Sequence, residues 1–154
     1  MLSIREVKPD ETDDPRFLPL GAEIVSYYKQ SGTLIEIDIG VTLKTLKAML
    51  SVGMAVFIVL EDDGEPIGCI CGGCCPDLLC NRIIATETFW YIQKDRRHQG
   101  LGDMLIRAFE MWARSSGASR IRLAHLVDLR ADENRRLYEG LGFKACEVAY
   151  EKEV

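Results

Sequence analysis

One stretch constrains the fold more than any other: a strand pattern, a glycine-bearing turn and an amphipathic helix in direct succession. Ile83 to Ile92 is rich in β-branched and aromatic residues, which favours a long strand. Leu101, Met104, Leu105, Ala108, Phe109 and Trp112 then follow the spacing i, i+3, i+4, i+7, i+8, i+11, the buried stripe of a helix. Asp103, Arg107, Glu110 and Arg114 fall outside that stripe, and Gly117 suits the helix end. Between the two lies Arg97-His98-Gln99-Gly100-Leu101-Gly102. Such a turn is an anion site in physical terms. Glycines let the backbone approach a ligand, and the first N–H groups of a helix have no internal partner. The helix dipole supplies only about 0.3–1 kcal/mol per charge. Several N–H donors, with Arg96 or Arg97, must supply the rest. A dinucleotide fingerprint would need glycine where Leu105 stands, and a Walker loop would need Gly-Lys-Ser/Thr, which is absent. Taken alone, the hexapeptide reads equally well as a polar turn with glycines for geometry.

The remaining elements fall into order around this unit. Leu2 to Val7 alternates as a first strand and Pro9 ends it. Pro15 to Gln30 reads as a helix, Leu34 to Ile39 as a short strand or extended loop, and Val41 to Leu50 as a second helix. Met54 to Leu60 is an unbroken apolar run, Glu61-Asp62-Asp63-Gly64 a hairpin signal, and Pro66 to Cys75 the returning strand. After the long helix come a strand at Ile121 to Val127, a helix at Asp132 to Leu141 closed by Gly142, and a last strand at Phe143 to Tyr150. The order βααβββαβαβ predicts a mixed α/β sheet covered by helices.

Composition narrows the function classes. The 154 residues fit one domain, 1–154, with a sizeable core. A formal net charge of −5 argues against a nucleic-acid partner, which favours a basic face, and is compatible with a cationic substrate. No apolar run reaches bilayer length, and Met1 to Asp10 lacks a signal-peptide pattern. The expectation is a cytoplasmic protein without a membrane partner, its six cysteines reduced. Cys69, Cys71, Cys74, Cys75 and Cys80 cluster, but without paired C-x-x-C spacing or suitable histidines. They read as packing residues, and no metal is expected.

The turn resembles the acetyl-CoA motif of the GNAT acetyltransferase superfamily, Arg/Gln-x-x-Gly-x-Gly/Ala. Ile92 matches the hydrophobic strand residue usually found five places before the Arg/Gln. Leu137-Tyr138-Glu139-Gly140-Leu141-Gly142-Phe143 resembles the second hallmark, a helix carrying Leu-Tyr and ending in Gly-Phe. The match runs from about Ala85 to Phe143, and the N-terminal half matches only in element order. The resemblance implies a GNAT-like fold: a mixed, mostly antiparallel central sheet of about six to seven strands flanked by about four helices. It also implies an acyltransferase that moves an acetyl group from acetyl-CoA to a primary amine by direct transfer in a ternary complex. The backbone of Arg97, His98, Gln99, Gly100, Leu101 and Gly102 would hold the pyrophosphate of CoA. Backbone groups of Trp90, Tyr91 and Ile92 would pair with the pantetheine arm like an added strand. A splay between the Ile83–Ile92 and Ile121–Val127 strands would receive that arm. Many relatives carry an asparagine seven places before the tyrosine, where this chain has Ala131; Asn134 is the substitute, with helix capping or exposure as its alternative.

Acyl transfer to an amine poses two proton problems. An amine of pKa about 10.4 is neutral in roughly one molecule in a few thousand at pH 7, a deficit of about 4–5 kcal/mol. A base and a desolvating site must offset it. The leaving thiol, pKa about 8.5, needs less help. Tyr138 matches the family's helix tyrosine and is the candidate acid. Family members often place a glutamate six positions before the residue matching Ile92; here Thr86 stands there and Glu87 is its neighbour. A one-place offset changes strand faces unless a bulge restores it, so Glu87 is the candidate base on condition of a bulge. Water relayed to His125 or Glu36 is the alternative. A CoA-binding sensor or interaction domain without turnover is the competing function. The acceptor is open among protein N-termini, lysines, polyamines, amino sugars and amino acids, and a homodimer is compatible with the sequence.

Overall fold

Five strands form one sheet in the computed structural model, which describes residues 1–33 and 36–154. They are β1 (Leu2–Glu6), β2 (Ala55–Asp62), β3 (Glu65–Pro76), β4 (Ile83–Ile92) and β5 (Arg120–Arg122), adjacent in chain order. The first three pairings are antiparallel and β4–β5 is parallel. The helices are α1 (Phe17–Lys29), α2 (Ile39–Ser51), α3 (Leu101–Ser115) and α4 (Ala131–Gly140), with 3-10 turns at Pro9–Glu11 and Lys94–Arg96. No described helix is long and apolar enough to cross a membrane.

The unbroken apolar run of β2 is explained by burial on both faces. Val56, Ile58 and Leu60 join one core with Leu105, Ile106 and Phe109 of α3 and Tyr138 of α4. The alternate residues Phe57 and Val59 join a second core with Phe17 and Leu20 of α1 and Leu46 of α2. The hairpin between β2 and β3 turns on Asp63 and Gly64, both left-handed at φ 51° and 85°, as a two-residue turn requires.

Two strand expectations are corrected. The strand expected over Ile121–Val127 ends at Arg122, because side chains claim the next backbone groups: the Ala124 N–H donates to Glu87 and its carbonyl accepts from Tyr138. The strand expected over Phe143–Tyr150 is absent from the sheet. Phe143 packs beside Tyr138, but Val148 and Tyr150 are exposed. Either alternate row mixes apolar residues with a charge, Lys144 or Glu147, so neither presents a clean face to bury. Among the described residues the sheet thus has five strands rather than six or seven. Of the segment expected to be extended at Leu34–Ile39, Leu34 and Ile35 lie outside the described residues, and Ile39 already opens α2.

Helix α2 starts on a cap that periodicity does not disclose. The Asp38 carboxylate accepts a hydrogen bond from the Val41 N–H at 3.0 Å. Asp38→Ala is expected to cost about 1 kcal/mol, read as a lower denaturation midpoint at unchanged m-value.

Candidate active site

Strand β4 carries the bulge on which Glu87 depends. Cys71 pairs with Phe89, but the next residue, Gly72, pairs with Glu87, so Thr88 is the extra residue. The bulge switches face parity. Phe89 packs with the α1–α2 core, whereas Ala85, four places back, packs with the α3 core. Gly72 makes the arrangement possible: a Cβ there would lie 2.5 Å from the Thr86 carbonyl and 2.7 Å from the Phe109 ring.

Beyond the bulge the sheet opens. Strands β4 and β5 pair only through Ile84–Arg120, Ala85–Ile121 and Thr86–Arg122. From there β4 runs on to Ile92 without β5 beside it, leaving a cleft of about 250 Å³. Glu87, Ala124 and His125 line it where the strands part. Trp90, Tyr91 and Ile92 form the β4 wall. His98, Gly100, Leu101 and Gly102 line it at the start of α3, and Asn134 and Leu137 on α4. Gln99 alone of the expected loop residues is not on the cleft surface, and Glu36 lies outside it as well.

The turn into α3 is tight. His98 and Gly100 are both left-handed, at φ 66° and 75°, so the chain coils tightly before the helix. At Gly100 a side chain would find space but the wrong backbone conformation; at Gly102 it would press at 3.2 Å on Trp90 and Leu137. The arginine side chains are otherwise engaged. Arg97 donates through Nε to the Ile92 carbonyl at 3.0 Å and lies over the rings of Tyr27 and Tyr91. Arg96 pairs with Asp62 at 3.0 Å. Arg96, Arg97 and Arg130 line the cleft, and these partners of Arg97 are neutral, so its charge adds to whatever the backbone N–H groups supply.

Two ionisable groups stand close to the opening. Glu87 accepts from the Ala124 N–H at 3.0 Å, yet burial pushes its carboxyl up to about 7, the hydrogen bond opposing that rise. Buried Tyr138 accepts from the Trp90 indole at 2.7 Å and donates to the Ala124 carbonyl at 2.7 Å. Burial drives its phenol well above the usual range, against the Trp90 hydrogen bond. Backbone of one residue, Ala124, thus tethers both groups. The His125 ring lies 6.0 Å from that of Tyr138.

The helix tyrosines Tyr27 and Tyr28 also line the cleft, and the sequence reasoning missed their place there. Helical periodicity over Pro15 to Gln30 does not say which residues reach a cleft, and nothing local indicates that Arg97 stacks on Tyr27. All six cysteines are free; Cys69 and Cys71 are buried in the core under α1 and α2, and burial with Glu87 nearby pushes Cys71 up to about 12. Among the described residues no group of three or more His, Cys, Asp or Glu side chains is placed to hold a metal.

The model of the acetyltransferase (GNAT) domain family matches residues 54–145. No curated protein sequence matches the chain. Among solved structures, a ribosomal-protein-alanine N-acetyltransferase from Brucella melitensis biovar Abortus 2308 is 18% identical with a TM-score of 0.76, over 100% of this chain and 99% of its own. AAC(6')-Iy, in complex with the bisubstrate analogue CoA-S-monomethyl-acetylneamine, is 16% identical with a TM-score of 0.72, over 100% and 99%. A Trypanosoma brucei acetyltransferase is 20% identical with a TM-score of 0.72, over 100% of both chains.

Proposed function

The chain belongs to the GNAT acetyltransferase family, and we propose that it moves an acetyl group from acetyl-CoA to a primary amine by direct transfer in a ternary complex. The observation that carries this reading is the pairing within one cleft of a left-handed turn at a helix N-terminus and a half-buried carboxyl where β4 and β5 part. The turn fits an anionic pyrophosphate, and the open edge of β4 fits the amide groups of a pantetheine arm. Arg97, His98, Gly100, Leu101 and Gly102 form the phosphate side in this reading, with Trp90, Tyr91 and Ile92 along the arm and Asn134 on the far wall. Gln99 belongs to the turn through its backbone only.

Glu87 removes a proton from the bound ammonium, directly or through water, and leaves a neutral nitrogen. That nitrogen forms the new C–N bond as the thioester C–S bond breaks. Tyr138 then gives the sulfur its proton, for which its hydroxyl must exchange the Ala124 carbonyl for the thiolate; the nitrogen's second proton passes through water to restore the Tyr138 hydroxyl, and the proton on Glu87 leaves to solvent. This commitment to Ala124, together with Ala131 at the position where relatives carry asparagine, also supports a second reading, a CoA-binding domain without turnover. Binding of CoA with no transfer across a broad amine panel would select it.

Acetyl-CoA at a hundred times its Kd is expected to stabilise the fold by about 2.7 kcal/mol, a rise of several degrees in Tm. A melting curve that does not move at millimolar acetyl-CoA counts against the reading. Gly102→Leu should abolish the rise by filling the space beside Trp90 and Leu137. A folded Gly102→Leu protein with the full rise would sink the assignment of the turn.

A further inference from the structure

A second cavity of about 290 Å³ lies between α1, α2 and the sheet face opposite α3, open to solvent where Leu18, Ile39 and Thr88 are exposed. Its walls are aromatic and aliphatic: Phe17 meets Phe57 edge-on at 5.6 Å, and Phe57 meets Phe89 at 6.5 Å. None of its described lining residues is charged, and the hydroxyls of Tyr28, Thr42 and Thr88 are its hydrogen-bonding side chains apart from the thiol of Cys69. Its volume is nearly twice the roughly 150 Å³ at which an apolar protein cavity accepts benzene.

The cavity adjoins the cleft. Tyr28 lines both. Thr88, the bulge residue, lines the cavity while its chain neighbour Glu87 lines the cleft. A molecule with nitrogen at Glu87 therefore has an apolar space next to it, on the side of the sheet away from α3. A further ammonium or a row of hydroxyls placed there would lose water and gain almost no partners. An aromatic ring or short alkyl chain would lose only unfavourable hydration.

We propose that this cavity takes the body of the acceptor, which is a primary amine carried on an aromatic ring or a short alkyl chain. The proposal rests on the acetyl-transfer reading for its chemistry, but its binding step can be tested alone. Calorimetric titration of the CoA-saturated protein with 2-phenylethylamine and hexylamine should show binding at least tenfold tighter than with spermidine, sisomicin or an alanine-terminated polar peptide. Equal or reversed affinities, or no binding of either apolar amine, overturn the proposal whatever the turnover. In acetyl-transfer assays the two apolar amines should show the highest kcat/KM. Binding of them without transfer would uphold the cavity and defeat the transfer reading instead.

Gly21 gives a direct probe. It lies within α1 and lines the cavity, and an added Cβ meets nothing within 4 Å. Gly21→Phe removes a weak helix former and places a ring at the cavity wall. It should weaken 2-phenylethylamine binding at least tenfold while the acetyl-CoA-induced rise in Tm persists. Gly21→Leu, with a smaller side chain, should give an intermediate loss. Unchanged amine affinity in both folded variants overturns the proposal.

Discussion

Glu87→Gln is expected to slow acetyl transfer by about 10²–10⁴-fold, the range for loss of a positioned base, and to change the shape of the pH–rate profile. With its carboxyl pushed up to about 7, Glu87 becomes a competent base only as pH rises through neutrality. The wild-type kcat/KM should therefore carry an acidic limb with an inflection near pH 7. In Glu87→Gln that inflection should vanish, leaving a rise set by the acceptor amine's own ionisation toward pH about 10. Stability should move in the opposite sense. A carboxyl whose folded pKa exceeds its model value of 4.5 binds its proton more tightly in the native state. Its stabilising contribution is complete below about 4.5 and is lost as pH rises through about 7. Glutamine can still accept from the Ala124 N–H and never ionises, so the variant should be the more stable protein above pH 7 and equal to wild type below pH 4.5. An inflection near 7 that survives in Glu87→Gln would send the search for a base to His125, which also lines the cleft.

The bulge shows both the reach of the sequence and its limit. Sequence alternation makes plain that Glu87 works only if one residue is added to β4, but it cannot say where. The residue that permits the bulge is Gly72 on the neighbouring strand, fifteen positions away in sequence, and its role is to clear space for Phe109 of α3. Three elements meet there, and no local pattern contains all three. The loop glycines were legible as a turn, but Gly100 and Gly102 differ in kind. The first answers a backbone angle and the second a contact with Trp90 and Leu137. The missing C-terminal strand has the same lesson. Each alternate row of Phe143 to Tyr150 carries a charge, and strand formation also depends on a partner edge, while β5 stops at Arg122 where Glu87 and Tyr138 take the backbone of Ala124.

The arginines show that residue type alone does not disclose how a side chain is held. Arg96 and Arg97 in an anion-binding turn invite assignment to phosphate, but one pairs with Asp62 and the other braces β4 against α1. Arg97 still lines the cleft with its charge, held in place by Tyr27, Tyr91 and the Ile92 carbonyl, and so adds to the N–H groups and the α3 dipole without a side chain having to be ordered on binding. The cavity under α1 and α2 has a parallel logic. The apolar residues of the two helices, read from periodicity as ordinary core, leave space between them that the sequence gives no means of measuring.

Tyr138→Phe is expected to act twice, and the two effects can be separated. The substitution removes one hydroxyl and little volume, but that hydroxyl serves two buried partners: it accepts from Trp90 and donates to Ala124. Leaving the indole N–H and the carbonyl without it should cost about 1–3 kcal/mol, read as a lower denaturation midpoint. Turnover should fall by about 10- to 1000-fold, less than for a base because thiolate leaves readily. The loss should shrink with an acyl donor whose thiol is more acidic, since a better leaving group needs the proton less. A structural role alone would lower activity equally for both donors. Acetyl-CoA should still raise the Tm of the variant, because Trp90, the turn and the start of α3 remain. Wild-type turnover in a folded Tyr138→Phe protein would remove the acid role and leave Tyr138 as the clamp that holds Ala124, and through it Glu87, at the opening between β4 and β5.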